Sequence, residues 1–403
     1  MRILWISPRW PLPDNDGARK ATLALLRHLQ SLGKKIDNDF KLDVVFIVDE
    51  KQDKIEINDL EKKIQFESIL LLKKPNPIFP MQSLNYIFHR AHFSKLPFTV
   101  NSYSNSQIQN QLTQWSINKS WDFTIIDGLH AFALIPQPVE KNQWGELVYR
   151  AHNLELELWR QLEVLEKNIF KKMIWSFEYK KIKDYELNLA KIAKKIFTVS
   201  ELDKDKFLNL APDLNVQSLK IGMEMSPLPL EKLNSSGVLK LLFIGRLDWY
   251  PNKQGLQWFL NDVWPQISKK KKVELTVIGS GDSSWLKNDS ITVLRNVPEL
   301  LPYYRDCHAS IIPLFIGSGT RVKAIESASF GRSFLTTALG VEGLPFVDKT
   351  DYLSAETAEE WINALIGLEC SDWLKMGESI FERAKNNFDS TVLTQQFLRD
   401  LKN

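Results

Sequence analysis

Pro313-Leu314-Phe315-Ile316-Gly317-Ser318-Gly319-Thr320-Arg321-Val322-Lys323-Ala324-Ile325-Glu326 is the stretch on which the fold turns. Ala309 to Pro313 reads as a short buried strand, and behind the glycines a helix is predicted over Gly319 to Phe330. Strand, glycine-rich turn and helix in that order form the unit of a parallel sheet, whose ligands bind outside the carboxyl ends of the strands. The first N–H groups of such a helix lack partners within it and lie at the positive end of its dipole, so phosphate is their natural ligand. Gly319 and Thr320 stand at that turn. Glu326 lies about two turns in, too far along to cap the helix, and a carboxylate there can accept hydrogen bonds from two neighbouring ribose hydroxyls. Arg321 and Lys323 read either as phosphate neutralisers or as a solvated helix face.

Working outward, the same alternation of strand and helix fills the chain. Towards the C-terminus, strands are predicted at Leu239–Ile244, Val273–Ile278, Ile291–Leu294 and Ser333–Thr337, with helices near Lys253–Ile267, Pro298–Cys307, Glu356–Leu368 and Thr391–Lys402. Leu242-Phe243-Ile244-Gly245-Arg246-Leu247-Asp248 runs a strand into a glycine and an arginine, with Lys253 near the next helix start. An Arg and a Lys at a strand's carboxyl end suit a diphosphate, the plainer alternative being a surface Arg246–Asp248 pair. In the N-terminal half, strands are predicted at Ile3–Ser7, Leu42–Ile47, Ser68–Leu72, Phe123–Ile126, Leu147–Tyr149 and Lys195–Val199. A helix over Arg19–Leu32 follows the first strand and is expected to stop at Gly33; the loop before it carries Gly17, which either admits an anion or simply serves a turn. Met223 to Gly237, rich in Pro, Asn, Ser and Gly, reads as the linker. Two domains are therefore expected, residues 1–222 and 223–387, with a closing helix at 388–403 rejoining the first.

Length and composition agree with that count. A chain of 403 residues exceeds what one core usually organises, and 44% hydrophobic with 25% charged residues is ordinary globular composition. A net charge of +3, with a slight basic excess in the first half, argues against a dedicated nucleic-acid binder. Cys307 and Cys370 lack metal-ligand spacing, so no metal site or disulfide framework is expected. No apolar run reaches the ~18 residues of a membrane span, and the opening segment is too short for a signal-peptide core, so the expected location is cytoplasmic.

These segments resemble glycosyltransferase family 4, retaining enzymes of the GT-B fold, over nearly the whole chain. Gly245-Arg246-Leu247-Asp248, Val277-Ile278-Gly279-Ser280-Gly281 and the Gly317-to-Glu326 segment fall in the family's order, joined by Tyr149-Arg150-Ala151-His152-Asn153-Leu154-Glu155 and Val199-Ser200-Glu201-Leu202-Asp203. The resemblance implies an α/β chain of two Rossmann-like domains facing each other across a cleft, the first on the acceptor side and the second binding the donor. It implies a hexosyltransferase-type enzyme of polysaccharide or glycoconjugate biosynthesis, with no cofactor beyond its nucleoside diphosphate sugar co-substrate. By the same resemblance Arg246 and Lys253 hold the pyrophosphate, Glu326 binds the ribose, Gly319 and Thr320 offer backbone N–H groups, and Val297 lies where the base is cradled. His152 matches a histidine that approaches the transferred sugar. In many members a glutamate stands eight positions before the ribose-binding one; here that position is Ser318, which supplies no carboxylate.

The mechanism so implied is metal-independent transfer with retention, in which the incoming hydroxyl attacks the face the leaving group departs from. The acceptor is a glycan, lipid-linked or small-molecule hydroxyl. Phe79 to Tyr103, with Met81, Tyr86, Phe88 and Phe93, reads either as its wall or as core. Ile169 to Ile196 interleaves Phe170, Met173, Ile174 and Phe177 with lysines and reads either as a solvated helix or as peripheral contact with the inner membrane face. Competing classes are a GT-B epimerase, a phosphorylase and a sugar-nucleotide-binding protein without transferase activity; a nicotinamide dehydrogenase is disfavoured because no Gly-x-Gly-x-x-Gly turn follows the first strand.

Overall fold

A computed structural model describes residues 1–12, 17–48, 54–73, 96–101, 103–166, 168–226, 237–286, 289–295, 297–316 and 320–403. They fall into two units: Met1–Leu12, Leu26–Lys220 and Gln395–Asn403 form the first, Pro13–Leu25 and Ile221–Thr394 the second.

The first unit holds a seven-stranded sheet in the order β3-β2-β1-β4-β5-β6-β7, every pairing parallel. Its strands are β1 (Arg2–Ser7), β2 (Lys41–Val48), β3 (Ser68–Lys73), β4 (Phe123–Asp127), β5 (Glu146–Ala151), β6 (Lys195–Thr198) and β7 (Val216–Ser218). β1, β2 and β4 are almost wholly buried, as continuous apolar runs must be in a sheet covered on both faces. The chain steps outward from β1 to β3, returns to β4 and steps outward to β7. The sheet's switch point therefore lies between β1 and β4, the place where open parallel sheets take their ligands.

The second unit repeats the plan with six parallel strands, in the order β10-β9-β8-β11-β12-β13: β8 (Leu239–Ile244), β9 (Val273–Gly279), β10 (Thr292–Arg295), β11 (Ala309–Ile312), β12 (Ser333–Thr336) and β13 (Leu353–Ser354). Its switch point lies between β8 and β11. Leu241, Phe243, Val277, Ile311, Leu335, Trp361 and Trp373 share one buried cluster across this sheet.

The helices depart from the sequence reading in four places. Helix α1 (Gly17–Ile36) runs through Gly33 rather than ending there; the Phe40 ring occupies the space a Cβ would take, 2.5 Å away, so this glycine serves close packing rather than termination. The single helix expected near Lys253–Ile267 is α4 (Tyr250–Trp258), a π turn over Phe259–Val263 and a second helix over Trp264–Lys270. The wide turn precedes Pro265, whose missing N–H and bulky ring would break a continuous α-helix. Helix α5 (Val322–Ser329) begins three residues after the predicted Gly319, because Arg321 at its N-cap is not yet helical, with φ −77° and ψ 60°. Between α1 and α4 run α2 (Glu155–Leu165) and α3 (Ile169–Ile192); α3 stops short of the predicted Ile196, which belongs to β6. Of the proposed linker, residues 227–236 lie outside the described residues.

Gly255 fixes α4 against the end of β11: a Cβ there would lie 1.7 Å from the Pro313 carbonyl oxygen. Gly255→Ala should therefore force helix and strand apart and destabilise by about 1–3 kcal/mol or more. Thermal unfolding checks this; an unchanged midpoint would contradict the contact.

Candidate functional site

In the second unit the crevice at the β8–β11 switch point is built from three chain segments. β8 ends at Ile244, and the following loop is pinned to β9 by Gly245 N–H donating to Ile278 O (3.0 Å) and Leu247 N–H to Ser280 O (2.8 Å). α4 follows that loop and α5 follows the β11 turn. Lys323, on the first turn of α5, reaches back to β8: its ammonium donates to Asn252 Oδ1 at 2.5 Å and sits 4.9 Å from the Phe243 ring centroid. A Cβ on Gly245 would stand 2.8 Å from that ammonium, so glycine makes room for it. Asn252 in turn donates from Nδ2 to the Arg246 carbonyl oxygen (2.9 Å). One half-buried lysine thus ties the α5 head, the α4 start and the Arg246 loop together. Burial lowers the Lys323 pKa to about 8, with the nearby charge of Glu326 opposing the shift. The solvated-face reading of Lys323 is therefore corrected.

The remaining residues gather round this tie. Arg246 projects an exposed guanidinium that pairs in bidentate fashion with Asp248, Nε to Oδ1 at 3.1 Å and Nη2 to Oδ2 at 2.9 Å. That is the plainer pairing anticipated from the sequence. It holds the Asp248 carboxyl below its usual range. Lys253, half-buried on α4, lies 5.5 Å from the Trp285 ring centroid. Arg321 is buried and pairs with Glu342 (2.8 Å), so it too leaves the solvated face. Glu326 is buried and accepts a hydrogen bond from the Tyr304 hydroxyl (3.3 Å); burial, reinforced by Glu326, raises the Tyr304 pKa well above its usual value. Val297 packs against the cluster of Leu242, Ile278, Tyr304 and Cys307. Thr320 Oγ1 is buried with no hydrogen-bond partner among the described residues, at the head of α5. Gly317, Ser318 and Gly319 lie outside the described residues, as does Asn296; Gly17 opens α1.

The first unit carries its own polar centre at the strand ends beside its switch point. Asp127, the last residue of β4, is buried and receives three donors: Arg150 Nη1 at 2.7 Å, His152 Nε2 at 2.7 Å and Trp5 Nε1 at 3.3 Å. Burial would raise its pKa, but the charges and hydrogen bonds of His152 and Arg150 prevail and hold it well below the usual carboxylate range. His152 Nε2 also lies 3.2 Å from Arg150 Nη1, so the three side chains form one polar cluster. The turn after His152 is clamped by Glu186 of α3, which accepts from Glu155 N–H (3.2 Å), Leu156 N–H (2.9 Å) and the Tyr149 hydroxyl (3.0 Å). Burial pushes Glu186 up to about 8, and adjacent Glu155 is raised by burial as well.

Sequence reading missed Asp127, Glu186, Asn252 and Tyr304 as site residues. Asp127 had a signal, a lone carboxylate closing an apolar strand; Asn252 had none, since its partners lie on two other segments. Of the segment proposed as acceptor wall, residues 79–95 lie outside the described residues, and Tyr103 packs against His130 with ring centroids 5.3 Å apart. Among the described residues no helix is long and apolar enough to cross a membrane.

Two predictions follow from the first unit. Asp127→Ala strands the Arg150 charge in the interior and should cost about 3–5 kcal/mol, read by denaturant unfolding. Glu186 keeps its proton in the native state up to about pH 8, whereas the unfolded carboxyl releases it near 4.5. Stability should therefore fall as pH rises between those values, by about 1.4 kcal/mol per unit and on the order of 5 kcal/mol in all. Glu186→Gln should flatten that part of the profile; a slope identical to the parent's would contradict the buried-acid assignment.

Comparison with known proteins bears on the second unit first. Residues 239–369 match the family model described as Glycosyl transferases group 1, which places a glycosyltransferase domain there. An uncharacterized 44.6 kDa protein in the cps region of Klebsiella pneumoniae is 26% identical over 364 residues, 85% of this chain and 84% of its own. Among solved structures, a glycosyltransferase from Rickettsia africae superposes with a TM-score of 0.60 at 15% identity, covering 100% of this chain and 97% of that one. Alr3699/HepE from Anabaena, in complex with UDP and glucose, superposes with a TM-score of 0.63 at 10% identity, covering 100% of both chains. The chain shares with them the α/β two-domain GT-B fold.

Proposed function

We propose, from the glycosyltransferase domain at residues 239–369, that the chain is a retaining family 4 enzyme moving a sugar from a nucleoside diphosphate sugar to an acceptor hydroxyl. The observation that carries this reading is the knot at the β8–β11 strand ends, where Lys323 joins the α5 head to the Arg246 loop beside buried Glu326 and the unpartnered Thr320 hydroxyl. Arg246 and Lys253 are assigned to the pyrophosphate, with Gly319, Thr320, Arg321 and Lys323 supplying N–H groups and positive charge at the helix head. Glu326 is assigned to the ribose, Val297 to the base, Gly17 to the donor's anion and His152 to the transferred sugar.

In this scheme the bond from the anomeric carbon to the diphosphate oxygen breaks as the acceptor oxygen bonds on the same face, and negative charge grows on the departing diphosphate. Cations already fixed there stabilise the transition state more than the ground state, and each is worth about 10²-fold in rate. Arg246 would exchange Asp248 for phosphate, a swap its exposed side chain permits. We assign the leaving-group charge to these side chains rather than to a divalent ion. The cps setting of the Klebsiella relative favours a polysaccharide or lipid-linked glycan as acceptor, handled in the cytoplasm at the inner membrane face.

The test is thermal unfolding with UDP, GDP, ADP and CMP, alongside Arg246→Ala. A nucleotide at 100 times its dissociation constant should stabilise the fold by about 2.7 kcal/mol, and the variant should lose most of that shift. No shift with any nucleotide would sink the donor-site assignment.

A further inference from the structure

The two helices that follow His152 carry a surface the transfer chemistry does not use. α2 and α3 pack together, with Trp159 and Trp175 in edge contact at 5.5 Å and the Glu166 carboxylate accepting from Trp175 Nε1 (3.4 Å). The later part of α3 is held in the protein by buried Ile182, Glu186, Leu189 and Ala190. Its first turns are anchored on one face only, through Trp175, Glu178 and Tyr179, and the opposite face is bare. Ile169 and Phe170 are 70% and 76% exposed, and Met173 and Phe177 are exposed too. Positions 169, 173 and 177, with 170 beside them, form one apolar stripe at helical spacing. Across the turn, α2 adds exposed Leu158, Leu162 and Val164. Seven large apolar side chains on one helical tip exceed the scatter expected of a soluble surface.

The exposed charges around them share one sign, with Glu157, Glu163 and Glu166 half-buried beside them. Between residues 155 and 183, the exposed charged side chains among the described residues are Arg160, Lys171, Lys172 and Lys180; the glutamates there are partly or fully buried. The next exposed charge along α3 is Asp184, about two turns beyond Phe177. An apolar stripe edged by cations fits the boundary of an anionic bilayer, where the side chains enter the acyl region and the lysines meet headgroup phosphates. A second copy of the chain fits it poorly, because a two-fold contact would set like charges against each other.

We propose that the α2–α3 tip docks on an anionic lipid surface, with Ile169, Phe170, Met173 and Phe177 inserted and Arg160, Lys171, Lys172 and Lys180 at the headgroups. This identifies a docking element and stands whether or not the donor-site reading does. The test is co-sedimentation of the full chain with vesicles of phosphatidylcholine mixed with phosphatidylglycerol, compared with phosphatidylcholine alone. The chain should bind the mixed vesicles preferentially and release as salt rises. Phe170→Ser with Met173→Ser and Phe177→Ser should lower binding at least about tenfold. Lys171→Glu with Lys172→Glu should remove on the order of fivefold per lysine on mixed vesicles only. Both variants should keep the parent's unfolding midpoint and nucleotide-induced shift. Absence of vesicle binding by the parent, equal binding by the variants, or a concentration-dependent dimer that the apolar variant abolishes would each overturn the proposal.

Discussion

The contact on which the second unit's site depends is the Lys323 ammonium lodged against Gly245 and bonded to Asn252. A lysine in that position gives up much of its hydration, and the structure recovers it with one amide oxygen, the Phe243 ring and the field of Glu326. The arrangement joins residues more than 70 positions apart in sequence: Asn252 on α4, Lys323 on α5 and, through the Asn252 amide, the Arg246 backbone. Each would otherwise ride on an independent loop. Gly245 is indispensable here for lack of volume, not for backbone freedom.

The first unit solves a similar problem with the opposite charge. Asp127 is an anion kept ionised by three converging donors, and Glu186 is an acid kept protonated by burial while it holds the turn after His152. Two carboxylates in one unit end with pKa values on opposite sides of their usual range because charge outweighs burial at Asp127, whereas at Glu186 burial outweighs the N–H and O–H hydrogen bonds that favour ionisation. Both act on the short stretch from Arg150 to Leu156, so the position of His152 is fixed from the strand side and from the helix side.

Much of this was legible in the sequence. β8 was readable to the residue, since an apolar run of six closes on Gly245, whereas two-residue β13 has no pattern to read. The helix over Cys370–Phe388 was not assigned from the sequence, and like α1 it runs through an internal glycine. In the fold, Gly377 lets the chain pass Gly331, whose carbonyl oxygen would lie 2.4 Å from a Cβ, just as Gly33 admits the Phe40 ring. Glycine by itself does not say whether it serves a turn or a close approach; only the partner across the gap decides. The same limit applies at the site. Arg246, Lys253, Lys323 and Glu326 announce themselves by charge beside strand ends, while Asn252 and Tyr304 acquire meaning only once the segments meet.

The Gly255 contact bears on how the second unit can respond to a ligand. With backbone pressed on backbone and no side chain between, α4 and the end of β11 behave as a single stiff piece, and displacement of one is passed to the other without slack. Lys253 and the approach to the α5 head are thereby registered to each other before anything binds. Freedom to adjust is left to groups outside that piece, foremost the exposed Arg246 guanidinium, whose own carbonyl oxygen is held by Asn252. The crevice is thus rigid in frame and adjustable at one arm.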